Sequence, residues 1–104
     1  MSDENVTIGG PRFSLGKVLA TPGALEVLEE SGQSPPFFLE RHLRGDWGDI
    51  GHEDWQLNDR ALQDGSRILS AYKTLKGTKI WIITEAADDD GKRAATTLLL
   101  PAEY

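Results

Sequence analysis

The stretch Gly77-Thr78-Lys79-Ile80-Trp81-Ile82-Ile83-Thr84-Glu85 decides the fold. Its apolar centre, Ile80 to Ile83, is β-branched or aromatic throughout and fills both alternating sets of positions. A run this short, bounded by glycine, predicts an interior strand rather than a helix. Such a strand is covered on both faces, or covered on one and presented to a partner on the other. Working outward, Ser66 to Thr74 and Arg93 to Leu100 carry the same period of two and read as its neighbours. Leu75-Lys76-Gly77 makes a tight hairpin connection and Asp88-Asp89-Asp90-Gly91-Lys92 a longer one. Pro101 ends the last strand, because it has no N–H to give the ladder. The C-terminal half is therefore an antiparallel meander. In its first strand, alternation sets Ile68, Ser70, Tyr72 and Thr74 against Arg67, Leu69, Ala71 and Lys73, and each face is mixed.

Upstream of Gly65 the period changes to 3.6. Thr21-Pro22 is an N-cap followed by proline at the first helical position, and opens a helix to Ser31 with Ala24, Leu25 and Leu28 on one side. Ser34-Pro35-Pro36 repeats the start, and Phe37, Phe38, Leu39 and Leu43 carry a second helix to Gly45. A third runs from Glu53 to Gln63, with Trp55, Asn58 and Leu62 on one side. Gly45-Asp46-Trp47-Gly48-Asp49 is a tight connection in which Trp47, held between glycines, is expected to be partly exposed. Phe13 to Ala20 predicts a short edge strand, and residues 1–11 a flexible acidic arm. The expectation is one α+β domain over residues 12–104. Its N-terminal short strand and two to three short helices pack on a C-terminal antiparallel β-meander of three or four strands.

The 104 residues carry 17 acidic and 11 basic side chains, a formal charge of -6. That balance argues against direct nucleic-acid binding, which relies on many Lys and Arg contacts to phosphates, and predicts a basic protein as partner. The absence of cysteine excludes disulfides, a thiol nucleophile and thiolate zinc sites. No apolar run approaches the roughly 20 residues that span a bilayer, and the start lacks a basic region and apolar stretch, so a cytoplasmic protein is expected. Nothing calls for a cofactor. Neither His42 nor His52 belongs to a metal-ligand spacing, and aligning Gly91 to the glycine of a calcium loop puts Ala86 and Thr97 where carboxylates are obligatory.

Two readings of the polar residues remain. His42, near a helix C-terminus, suits the dipole there; it would also serve as general acid or base if a cleft joined it to Arg67, Ser70, Thr96 and Asn58. Arg67 either holds a phosphate or carboxylate or pairs with an acid across the sheet. On the binding side, Trp47 with Asp46 and Asp49 forms the candidate acidic and aromatic patch.

The strings Gly45-Asp46-Trp47-Gly48, Arg67-Ile68-Leu69-Ser70-Ala71-Tyr72, Gly77 to Glu85, Thr96-Thr97 and Leu99-Leu100-Pro101-Ala102-Glu103-Tyr104 together resemble a family of small uncharacterised bacterial proteins. Its members are carried on plasmids, phages and genomic islands and are often labelled plasmid-related protein. The resemblance spans Arg12 to Tyr104 and implies a mobile-element setting, hence an accessory or counter-defence role, without an activity to carry over. The order of helices followed by a meander is also similar to the small ribonuclease folds of RelE-like and barnase-like toxins, although those toxins are basic and this chain is acidic. The leading expectation is a non-enzymatic accessory protein that binds another protein. The alternative is a metal-independent ribonuclease using His42 and Arg67. Homodimerisation through an open strand edge is compatible with either.

Overall fold

The computed structural model describes residues 11–104, so the expected arm lies outside the described residues except for Pro11. In chain order the elements are strand β1 (Lys17–Ala20), helices α1 (Pro22–Glu30), α2 (Pro35–Leu43) and α3 (His52–Asp64), strands β2 (Ile68–Lys73), β3 (Lys79–Thr84) and β4 (Ala95–Leu99), and a 3-10 turn, Pro101–Glu103. The start signals act as the sequence implies. Thr21 Oγ1 accepts the Ala24 N–H at 3.1 Å with Pro22 at the first helical position, and Pro35-Pro36 open α2. His52 is the first residue of α3 rather than part of a loop. No helix among the described residues is long and apolar enough to cross a membrane.

The four strands form one mixed sheet in the order β1-β4-β3-β2. The pairs β2–β3 and β3–β4 are antiparallel, as the meander requires, with Ser70 opposite Ile82 and Ile82 opposite Leu98. The N-terminal strand departs from the antiparallel expectation: β1 lies parallel to β4, with Lys17 opposite Ala95 and Ala20 opposite Leu98. It also begins four residues later than its apolar pattern. Gly16 has φ +64° and sits so close to β4 that a Cβ there would lie 2.2 Å from the Arg93 carbonyl oxygen. Only glycine permits that approach, and regular pairing starts after it.

Helices α1 and α2 cover one face of the sheet. Ala24, Leu28, Phe38 and Leu39 meet Tyr72, Ile80, Ile82 and Leu98 in the larger core cluster. A second cluster joins Trp47, Ala61 and Ile68, with Phe13, Ile50, Trp55 and Leu62 packed against it. Helix α3 runs along the outer edge of β2. There Asn58 Nδ2 donates to the Leu69 carbonyl at 2.7 Å, and its Oδ1 accepts the Leu69 N–H at 3.2 Å. One residue pair further on, the Ala71 N–H donates to the Trp47 carbonyl at 3.1 Å, and the Asp49 N–H to the Ala71 carbonyl at 2.6 Å. A side-chain amide and a loop thus replace the missing strand, which closes that edge to foreign pairing. Nothing among the described residues covers the other edge, β1, where Val18 and Leu19 are both exposed.

Candidate functional site

His42 lies on the buried stripe of α2 with Phe38 and Leu39, and meets two inward-facing hydroxyls of the sheet, the second of which contacts a third. Its Nδ1 is 2.5 Å from Ser70 Oγ and its Nε2 2.8 Å from Thr84 Oγ1; Thr84 Oγ1 is 2.8 Å from Thr96 Oγ1, which donates to the Leu15 carbonyl at 2.8 Å. Donor arithmetic fixes the direction of this relay. Thr96 spends its one proton on Leu15, so it accepts from Thr84. Thr84 then accepts from Nε2–H, which leaves Nδ1 to accept from Ser70. The ring is therefore a neutral Nε2–H tautomer, with Phe13 and Trp47 standing edge-on to it at 5.2 and 5.8 Å between centroids. His42, Ser70, Thr84 and Thr96 have no solvent exposure. A general acid or base needs a path to its substrate, and this imidazole has none.

Burial, with the positive Arg93 nearby, pulls the His42 pKa down to about 3. In the unfolded chain the same ring takes up a proton near 6.5. Between those values the unfolded state binds more protons, so stability falls as pH falls, by up to about 1.4 kcal/mol per unit. His42 is expected to cost about 2 kcal/mol between pH 7 and pH 5 in urea unfolding. The same samples should show, by nitrogen chemical shifts, an Nε2–H tautomer that does not titrate down to pH 4. A His42 ring titrating near 6.5 in the folded protein would overturn this assignment.

Of the residues considered for catalysis, Ser70 and Thr96 share the relay with His42, whereas Arg67 and Asn58 do not join it. Arg67 points to the opposite face of the sheet, where its Nη1 donates to the Tyr104 hydroxyl at 2.6 Å. It pairs with no acid across the sheet. Asn58 is occupied by the β2 edge. The ribonuclease constellation of His42, Arg67, Ser70, Thr96 and Asn58 is thus divided between a sealed interior, an outer face and an edge.

The binding patch expected around Trp47 also needs correction. Trp47 is fully buried, not partly exposed, and its indole N–H donates to Asp59 Oδ1 at 2.9 Å. The two flanking glycines turn the ring inward instead of displaying it. Asp46 is held by Arg41, whose Nε lies 2.7 Å from Asp46 Oδ2 and whose guanidinium stacks 4.6 Å above the Tyr72 ring. Asp49 is exposed, 3.9 Å from Lys79 Nζ. With Gly48, Tyr72 and Lys73, these groups line a shallow depression of about 470 Å³ whose charges are largely compensated within it.

The sheet face turned away from α1 and α2 is only partly covered: Ala71, Ile83 and Leu99 on it are buried, Leu69, Trp81 and Thr97 half-buried, and Leu19 exposed. Leu69, Ile83, Thr97 and Leu19 form one row across the four strands, and Ala71, Trp81 and Leu99 the next. Tyr104 folds back from the 3-10 turn and stands edge-on to Trp81 at 5.6 Å, itself 68% exposed. Glu103 anchors that turn: its carboxylate accepts from the Thr21 hydroxyl at 2.6 Å and the Leu100 N–H at 2.8 Å, which holds it below the usual carboxylate range. A depression of about 320 Å³ lies among Arg67, Ile83, Glu85, Thr97, Leu99 and Tyr104. Another of about 200 Å³, with Leu57, Asn58 and Leu69 in its wall, meets it at Arg67.

Sequence reasoning missed Arg93, which is 7% exposed. Its guanidinium donates to the carbonyls of Ser66, Glu85 and Ala61 at 2.8, 3.0 and 3.0 Å, tying the end of α3 to β3. The one available hint is an arginine beside the small residues Ala94 and Ala95, at a strand start. Comparison with known protein families, with curated proteins and with solved structures returns no match.

Proposed function

We propose that this chain is a non-enzymatic accessory protein of a bacterial mobile element, working in the cytoplasm, that binds another protein through the partly covered face of its sheet. The observation that carries the reading is the one-sided packing: α1 and α2 cover the face of Ile80 and Ile82, while Trp81, Leu69, Leu19 and Tyr104 remain on the other. An apolar face with aromatic residues at its centre and charges at its margin has the composition of an interface. The mobile-element setting, with its counter-defence implication, rests on the resemblance of the strings from Gly45 to Tyr104. The candidate catalytic imidazole is engaged in a closed hydrogen-bond relay, which favours binding over catalysis as the use of this fold.

Site-specific photo-crosslinking in a bacterial lysate tests the reading. A crosslinker at Leu19 or Lys73, both exposed on the partly covered face, is expected to capture one stoichiometric partner, and one at Glu26 or Glu29 on α1 to capture none. Capture from α1 alone would overturn it.

A further inference from the structure

We infer that the segment received by the partly covered sheet face is acidic and apolar, and that it delivers a carboxylate to Arg67. This rests on the binding reading above and reverses the basic partner that the overall charge of -6 predicts, because a partner meets the local face and not the sum. On that face the strands and their flanks place Lys17, Arg67, Lys73 and Lys79 against Glu85, with Asp54 near Arg67 and Asp46 and Asp49 near Lys73 at its margin. Lys73 and Lys79 stand directly opposite each other in the β2–β3 register, an arrangement of like charges that destabilises a sheet. Asp49 approaches only Lys79, at 3.9 Å.

Arg67 is the centre of this field. It is exposed, lies where two depressions of mixed polar and apolar lining meet, and has no carboxylate within ion-pair distance among the described residues. Glu85 stands one step beyond the Ile68–Thr84 pair, across from Arg67 on the same face, without forming an ion pair, and Asp54 lines the other depression. The bond to Tyr104 uses one of five N–H donors, so the guanidinium keeps the fork that a carboxylate occupies bidentately. On one side Leu57, which is exposed, and half-buried Leu69 offer an apolar seat for a residue flanking that carboxylate; on the other, Ile83 and Leu99 are buried and form only the floor. A protein segment fits better than single-stranded nucleic acid. The floor is mainly aliphatic, Tyr104 already occupies Trp81, and a molecule of charge -6 repels a long polyphosphate more than one or two carboxylates.

The test uses the full chain and three probes in nitrogen-edited NMR: acetyl-Leu-Glu-Ile-Glu-Leu-amide, its Gln-for-Glu counterpart and a ten-residue oligothymidylate. The indole N–H groups of Trp47, Trp55 and Trp81 serve as internal markers of place. The acidic peptide is expected to shift the Trp81 indole and the Arg67 Nε–H and to bind about tenfold more tightly than the glutamine peptide, as one charge-assisted contact requires. Arg67→Gln should remove that difference while leaving the spectrum folded. Equal binding of both peptides at Trp81 would overturn the carboxylate assignment and leave the sheet face as a binding surface. Shifts confined to the helical side, or none at all with any probe at millimolar concentration, would overturn both. Oligothymidylate binding at Trp81 without peptide binding would reassign the face to nucleic acid.

Discussion

Arg93→Ala is expected to lower the unfolding free energy by about 4 kcal/mol. The side chain is a buried cation whose three hydrogen bonds all go to backbone carbonyls, from the last turn of α3, the loop before β2 and the end of β3. Burial pulls its pKa down, with the nearby Asp64 opposing, yet a guanidinium stays charged inside a protein. Removing it leaves three carbonyls without their donor and opens space beneath the Phe13 ring, above which it lies at 5.7 Å. Over a chain of this length the midpoint should fall by about 20 °C. Arg93→Lys restores the charge without the planar fork and should recover less than half of the loss. Thermal and urea unfolding of the two variants measures this; a loss below about 1 kcal/mol for alanine would show the three bonds to be dispensable.

Gly48→Ala is expected to cost about 3 kcal/mol. Gly48 has φ +78°, and a Cβ there would lie 2.1 Å from the Ala71 carbonyl oxygen and 2.6 Å from the Tyr72 ring. The first feature alone costs a non-glycine residue about 1–2 kcal/mol. The second cannot be relieved without moving the loop that closes the β2 edge. Loosening should be visible as faster amide exchange at Ala71, whose N–H donates to Trp47. Gly51→Ser is the control: nothing lies within 4 Å of its added atoms, and a serine at the N-cap of α3 should hold stability or raise it by a few tenths of a kcal/mol.

The meander and the helices were legible because their signals are local. Thr21-Pro22, Ser34-Pro35-Pro36 and the change of period at Gly65 each act within a few residues, and the observed elements fall within them. What escaped was set by distant partners. The direction of β1 depends on its meeting β4 some 78 positions away, and on the Thr96 bond to Leu15. The inward turn of Trp47 depends on Asp59 waiting on α3 to accept its N–H. At the candidate site, alternation already put Ser70 on the face of Ile68 and Tyr72. That one imidazole would meet Ser70 and Thr84, and through Thr84 reach Thr96, depends on where α2 lands, which no spacing encodes. The same holds for Arg67: its face followed from period two, but the tyrosine that receives its N–H comes from beyond the last strand.

The unequal margins of the sheet limit how copies of this chain can assemble. Asn58 and the Trp47–Asp49 loop terminate one side, so among the described residues the one free rail is the four residues of β1. Two molecules that join rail to rail consume both, and no third can add by the same bonds. Pairing through the described strands would therefore end with two copies rather than grow into a fibre, and would leave the apolar sheet face free for other company.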